Sequence, residues 1–142
     1  MILVDTNVIS ELLRPSPTPN VVSWLNAHFP GCALSSVSIF ELSEGVTRMS
    51  EGARRDSLHA AITRLVRRFG ARIYAYDTQA AYASAELAGR ARALGLGLHQ
   101  IPAKVIDLQI GGIALAYGME FATRNFRDFH GTGLTLVNPW DT

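Results

Sequence analysis

Five positions in this 142-residue sequence combine residue type and placement in a way that could do chemistry: Asp5, Glu41, Asp107 and the pair Asn125 and Asp128. Asp5 ends the apolar run Met1 to Val4, and Glu41 follows CALSS by a few residues. Asp107 interrupts VIDLQIGGIALAYG, and Asn125 and Asp128 follow EFAT. If three or four carboxylates meet, their repulsion has to be offset, and a divalent cation is the simplest means. All-oxygen ligation favours Mg2+ or Mn2+ over zinc. Such a site suits phosphodiester hydrolysis, in which the cation polarises a phosphoryl oxygen, activates water and stabilises the leaving oxygen. His28, His59, His99 and His130 have no ligand spacing and are read as surface or packing residues.

These acids can meet only if the fold brings their segments to one end. Met1 to Val4 reads as a short buried strand, after which DTNVISELLR takes a helical period, with Val8, Ile9, Leu12 and Leu13 on one face. PSPTP breaks that helix, and Pro19 suits the first turn of the next, NVVSWLNAHF. GCALSS is extended, and SVSIFELSEGVTRM is a helix expected to face Val37, Phe40 and Leu42 inward. EGARRDSLHAAITRLVRRFG places Leu58, Ile62, Leu65, Val66 and Phe69 on one face and ends at Gly70. ARIYAY is a strand, Asp77 caps the alanine-rich helix TQAAYASAELAGRARALG, and LGLHQIPAK is a loop. VIDLQIGGIALAYG is apolar nearly all round, as in a buried helix, and MEFATRN and GLTLVNP supply the last strands. Apolar strands that barely alternate, separated by helices, indicate an α/β sandwich around a parallel sheet. Ligands of such sheets gather outside the carboxyl ends of the strands, where Asp5, Glu41, Asp107, Asn125 and Asp128 all fall.

Each acid also has a structural use. Asp5 is a preferred N-cap for the helix it precedes, and Glu41 completes SIFE, a capping box with Ser38. Asp107 is harder to explain that way, because an unpaired carboxylate among Val105, Ile106, Leu108 and Ile110 is costly to bury. Asp128 suits an ordinary loop, and Asp77 is assigned to capping alone.

Composition narrows the class. The chain is 48% hydrophobic and 18% charged, long enough for one domain with its own core. A net charge of +1 excludes a strongly basic nucleic-acid coat while leaving local patches open. Cys32 is alone, so no internal disulfide forms, and no apolar stretch approaches a membrane span. Together with the lack of a basic leader, this leads us to expect a cytoplasmic protein.

The sequence resembles the PIN-domain ribonucleases, specifically the VapC toxins of type II toxin-antitoxin modules and their FitB-like branch. ILVDTNVISEL, SSVSIFELSEG, DLQIGGIALAYG, FATRNFRDF and LTLVNPW match in family order along the whole chain, 1–142, read as one domain. The resemblance implies a three-layer α/β/α fold and an acidic Mg2+ or Mn2+ site that cleaves RNA. Asp5, Glu41 and Asp107 match the three principal acids. The fourth falls in TRNFRDF, with Asp128 as candidate, while Asn125, a neutral amide, would bind water or substrate better than it would neutralise a cation. Thr6 and Asn7 match the polar pair supporting the first acid, and Thr123 a polar position beside the site. Implied partners are RNA, a second copy of the chain and a cognate VapB-like antitoxin, in a homodimer or a larger toxin-antitoxin assembly.

Three features remain open at this level. Gly111 and Gly112 stand where the family usually has alanines, so the helix is either locally weak or packed closely by another backbone. Lys104, one turn before Asp107, either reaches the acids or RNA phosphates or is an exposed loop residue. The face carrying Arg54, Arg55, Arg64, Arg67 and Arg68 is either an RNA-backbone surface or simply solvated. A haloacid dehalogenase-type phosphatase would need a second aspartate where Asn7 stands, and a receiver domain finds only Asp77 and a poorly placed Lys104. The other alternative is a catalytically silent PIN-like module that binds RNA or protein.

Overall fold

A computed structural model describes residues 1–97 and 102–142. The helix α1 (Thr6–Glu11) follows strand β1 (Ile2–Val4), and α2 (Pro19–His28) precedes β2 (Cys32–Ser35). Helices α3 (Ser36–Thr47) and α4 (Ala53–Phe69) then lead to β3 (Ile73–Tyr74). The chain continues through α5 (Thr78–Ala93), α6 (Pro102–Ala116), β4 (Glu120–Ala122), α7 (Phe126–Phe129) and β5 (Leu136–Val137). The five strands form a sheet of order β3-β2-β1-β4-β5, and every pairing is parallel.

Strand period explains the three layers. Leu3, Ala33 and Phe121 point into one core with Leu87, Ile110 and Phe129, while Val4, Leu34 and Ala122 point into the other with Ile9, Trp24, Leu25 and Phe69. The sheet is therefore covered on both faces, by α5 and α6 on one side and by α1, α2 and α4 on the other, as parallel strands require. The chain crosses from β3, at one edge, to β4 on the far side of β1. That reversal puts a topological switch point between β1 and β4, the place where such sheets bind ligands.

Several local expectations are revised. Phe40 faces solvent at 61% exposure, while Ser38 and Val46 are buried and Leu42 packs into the core. The inward stripe is thus Ser38, Leu42 and Val46 at helical spacing, and its first member is polar because it is hydrogen-bonded. The capping box at Ser38 and Glu41 does not form: Ser35 is the N-cap, accepting from the Ser38 amide, so Ser38 lies inside the helix. The stretch read as the loop LGLHQIPAK gives way to α6 already at Pro102, which puts Lys104 on a helix; the rest of that reading, with His99, lies at 98–101, outside the described residues. The other three histidines are surface residues, with His28 stacked on Trp24. No helix among the described residues is long and apolar enough to cross a membrane.

Exposed glycines inside helices mark places where the fold can be strengthened. Gly89 lies within α5 with nothing near an added Cβ. Gly89→Ala is therefore expected to stabilise by about 0.5–1 kcal/mol in urea unfolding, and an unchanged midpoint would contradict it.

Candidate active site

β1 delivers Asp5 to the switch point as the residue that follows its last, with the Asp5 amide bonded to the Ala122 carbonyl of β4 at 2.9 Å. Asp5 is the N-cap of α1 and is 1% exposed. Its Oδ1 accepts from the Thr6 amide at 2.7 Å, and its Oδ2 accepts from Asn7 Nδ2 at 3.0 Å and Thr123 Oγ1 at 2.6 Å. A carboxylate has about four acceptor sites, so three donors fix the side chain and leave room for one more partner. Capping and site formation therefore coexist.

The neighbouring groups are tied to this anchor. Thr6 Oγ1 lies 2.6 Å from Glu41 Oε1 and 2.9 Å from Ser38 Oγ, joining α1 to α3. Thr123 follows β4 and is fully buried; its Oγ1 accepts from the Asn125 amide at 3.0 Å. Asn125 Nδ2 in turn donates to Asp107 Oδ2 at 2.9 Å, linking the loop after β4 to α6. Asp128 is held differently, in an ion pair with Lys104 at 3.0 Å. Of the two readings of Lys104, the one in which it reaches the acids holds.

The charges confirm that these groups share one environment. Burial pushes the Asp5 carboxyl up to about 6 against the lowering effect of its hydrogen bonds, with repulsion from Glu41 adding to the rise. Burial also raises Asp107 to about 7, with repulsion from Asp5, Glu41 and Asp128 adding to it and the Asn125 bond opposing it. Four acids thus lie within electrostatic reach, all offering oxygen. As they stand, no three acidic, histidine or cysteine side chains among the described residues form a group able to hold an ion. The reason is visible in the contacts: Glu41 is turned to Thr6, Asp107 to Asn125 and Asp128 to Lys104. In donor type and accumulated charge the set fits a hard divalent cation, which would need Glu41 and Asp107 to bring their unbonded oxygens toward Asp5.

The raised values have a consequence for stability. From about pH 4 the folded protein keeps protons that the unfolded chain has lost, on Asp5 up to about pH 6 and on Asp107 up to about pH 7. Stability of the metal-free protein should therefore fall as pH rises through that window. Allowing for solvent screening of the part-exposed Asp107, the loss is on the order of 2 kcal/mol. Urea unfolding in chelator at pH 5 and pH 8 checks this, and a midpoint that rises toward pH 8 would contradict it.

Not every expected residue belongs here. Asp77 caps α5, accepting from the Ala80 amide and from the Tyr117 hydroxyl, and takes no part in the cluster. Arg54, Arg64 and Arg68 flank a separate pair of grooves floored by Leu12, Leu13 and Ala61, neither of which includes a site acid. Sequence reasoning missed Ser38, whose only signal was its place in a serine-rich strand-to-helix turn.

With this geometry in view, comparison with known proteins is decisive. The PIN domain profile matches residues 2–133. The chain belongs to the PIN-domain family. It is 38% identical to the plasmid stability protein StbB of Pseudomonas syringae pv. tomato, over 99% of both chains. It is 32% identical to the VapC ribonuclease Y4jK of Sinorhizobium fredii and 33% identical to the toxin FitB of Neisseria gonorrhoeae, again over 99% of each chain. The crystal structure of FitAcB from Neisseria gonorrhoeae superposes with a TM-score of 0.89 at 32% identity, covering both chains fully. The five-stranded parallel sheet between helical layers is accordingly the PIN-domain fold, and its switch point carries the acids described above.

Proposed function

We propose that this PIN domain is an endoribonuclease and the toxin of a type II toxin-antitoxin module, hydrolysing RNA phosphodiester bonds at the Asp5 cluster with Mg2+ or Mn2+. The observation that carries this reading is the linked set of Asp5, Glu41 and Asp107, joined through Thr6, Thr123 and Asn125 at the switch point. Relatives named a VapC ribonuclease and a toxin support it.

In this reading Asp5, Glu41 and Asp107 hold the cation. Asp128 is the fourth acid, shared with Lys104. When bound, the divalent cation supplies the positive charge that offsets the acids and stabilises charge building on the phosphoryl and leaving oxygens. The chain's own residues prepare the place. Thr6, Asn7 and Thr123 fix both oxygens of Asp5, so that little reorganisation remains when substrate arrives. The second oxygen of Glu41 and of Asp107 has no hydrogen-bond partner among the described residues and is available. Asn125 steadies Asp107 without adding charge, which suits a neutral amide in a crowded acidic site. Burial excludes water from Asp5 and strengthens its interaction with a cation.

The same reading assigns a cognate antitoxin and a second copy of the chain as partners. The test is cleavage of tRNA, rRNA and mRNA fragments by the purified protein with Mg2+ or Mn2+ and with chelator. Metal-dependent cleavage, with growth arrest on expression that an antitoxin encoded alongside relieves, is the expected result. RNA binding without cleavage in any metal would replace this reading with the catalytically silent module.

A further inference from the structure

A groove of about 430 Å³ opens beside the acid cluster, at the carboxyl ends of β4 and β5. It shares Asn125 and Asp128 with the cluster and is otherwise walled by Arg124, Phe126, Arg127, Asn138 and Asp141. Its two acids are already satisfied: Asp128 pairs with Lys104, and Asp141 accepts from Asn138 Nδ2 at 2.6 Å. Its two guanidinium groups are exposed, and among the described residues neither forms a salt bridge. Arg124 is braced, with its guanidinium carbon 5.3 Å from the centre of the Trp140 ring. Phe126 is 38% exposed, and its ring centre lies 5.3 Å from that of His130.

We propose that this groove is the subsite for one nucleotide of a single-stranded RNA, its base stacked on Phe126 and its phosphate held between Arg124 and Arg127. The inference rests on the ribonuclease reading above and deepens it. A polyanion approaching Asp5, Glu41 and Asp107 is repelled unless cations flank them, and Arg124 and Arg127 are the exposed guanidiniums of the segment between β4 and the end of α7 that also supplies Asn125 and Asp128. An exposed aromatic beside free arginines is the pairing that single-strand binding uses: stacking tolerates any base, and the arginines follow the backbone. The volume lies within the range of pockets that hold small ligands. Asn138 sits at the same rim with its amide bonded to Asp141 and the Trp140 amide, which leaves one amide hydrogen to meet a base edge or a ribose hydroxyl.

The experiment measures KM and kcat separately on a single-stranded RNA oligonucleotide, with folding checked by thermal unfolding. Phe126→Ala should raise KM about 10-fold with kcat within about twofold of wild type, and Phe126→Tyr should restore it. Arg127→Ala should raise KM, and in the cleavage-deficient Asp5→Asn background it should lower the slope of log affinity against log salt by about 0.7. Arg67→Ala, on α4 away from the groove, should leave KM unchanged. Wild-type KM in both Phe126→Ala and Arg127→Ala would overturn the subsite while leaving the ribonuclease reading intact. A KM increase carried by Arg67→Ala instead would overturn it in favour of a path over α4. Absence of any cleavage by wild type would mark failure of the ribonuclease reading itself.

Discussion

Asp5→Asn should reduce RNA cleavage by more than about 100-fold, toward 1,000-fold, while leaving the protein folded. Asp5 is the group with no other place to go: it is fully enclosed, and both its oxygens are fixed by Thr6, Asn7 and Thr123. An asparagine keeps an acceptor for the Thr6 amide, the Thr123 hydroxyl can turn to accept from the new amide, and Asn7, whose Nδ2 would otherwise face that amide, can flip to present its Oδ1 at the cost of the long bond from the Arg124 amide, so the turn survives. Removing a buried charge also relieves the repulsion between Asp5, Glu41 and Asp107. Metal-free stability at pH 8 should therefore stay within about 1 kcal/mol of wild type or exceed it. Thr123→Val should show a smaller loss, about 10- to 100-fold, because it removes the donor to Asp5 and the acceptor for the Asn125 amide while keeping the shape. Cleavage by Asp5→Asn within tenfold of wild type would remove Asp5 from the site.

The largest effect on stability is expected at Gly112. A Cβ there would lie 1.8 Å from Ser84 Oγ, 2.8 Å from Ser84 Cβ and 2.9 Å from the Ala80 carbonyl oxygen. Rotating Ser84 relieves only the first contact and breaks its bond to the Leu108 carbonyl, while the Ala80 oxygen is backbone and cannot turn away. Helix propensity favours alanine by about 1 kcal/mol, yet overpacking costs more, and Gly112→Ala should destabilise by about 2–3 kcal/mol net. The double variant with Ser84→Gly should recover part of that loss. Because α6 also carries Asp107, cleavage should fall alongside stability. Urea unfolding decides the sign, and a variant as stable as wild type would contradict close packing of α5 on α6.

Those two glycines show what a sequence can and cannot state. A Gly-Gly pair in a helix is compatible with weakness or with close approach, and the second is selected by Ser84 and the Ala80 carbonyl against Gly112 and by Leu87, Phe129 and Leu134 against Gly111. The acids were legible for a different reason. Each follows a strand or lies in the first two turns of a helix, and parallel topology sends all such positions to one end. What topology does not specify is how they share donors, so the assignment of Lys104 to Asp128 and of Asn125 to Asp107 appears only in three dimensions. On α3 the reading holds for Val37 and Leu42, which pack against the two cores, and fails at Phe40 because it counted apolar residues. Phe40 faces water, while Ser38 turns inward to bond Thr6 and Ser35, a polar member of a buried stripe that hydrophobic periodicity passes over. Serines at 35, 36 and 38 likewise left the helix start ambiguous, and the cap fell three residues earlier than the capping-box pattern indicated.

Hydrolysis at the Asp5 cluster requires that the cluster bind a divalent cation. Titrating Mn2+ calorimetrically into metal-free wild type and Asp107→Asn, in buffers of differing ionisation heat, asks this without reference to activity. At pH 6, where Asp5 and Asp107 still hold protons, binding to wild type should release protons, and the release should shrink by pH 8. Asp107→Asn should bind at least about 10-fold more weakly and release fewer protons. Equal affinity in the two proteins, or binding with no proton release at pH 6, would contradict a metal site built on these carboxylates.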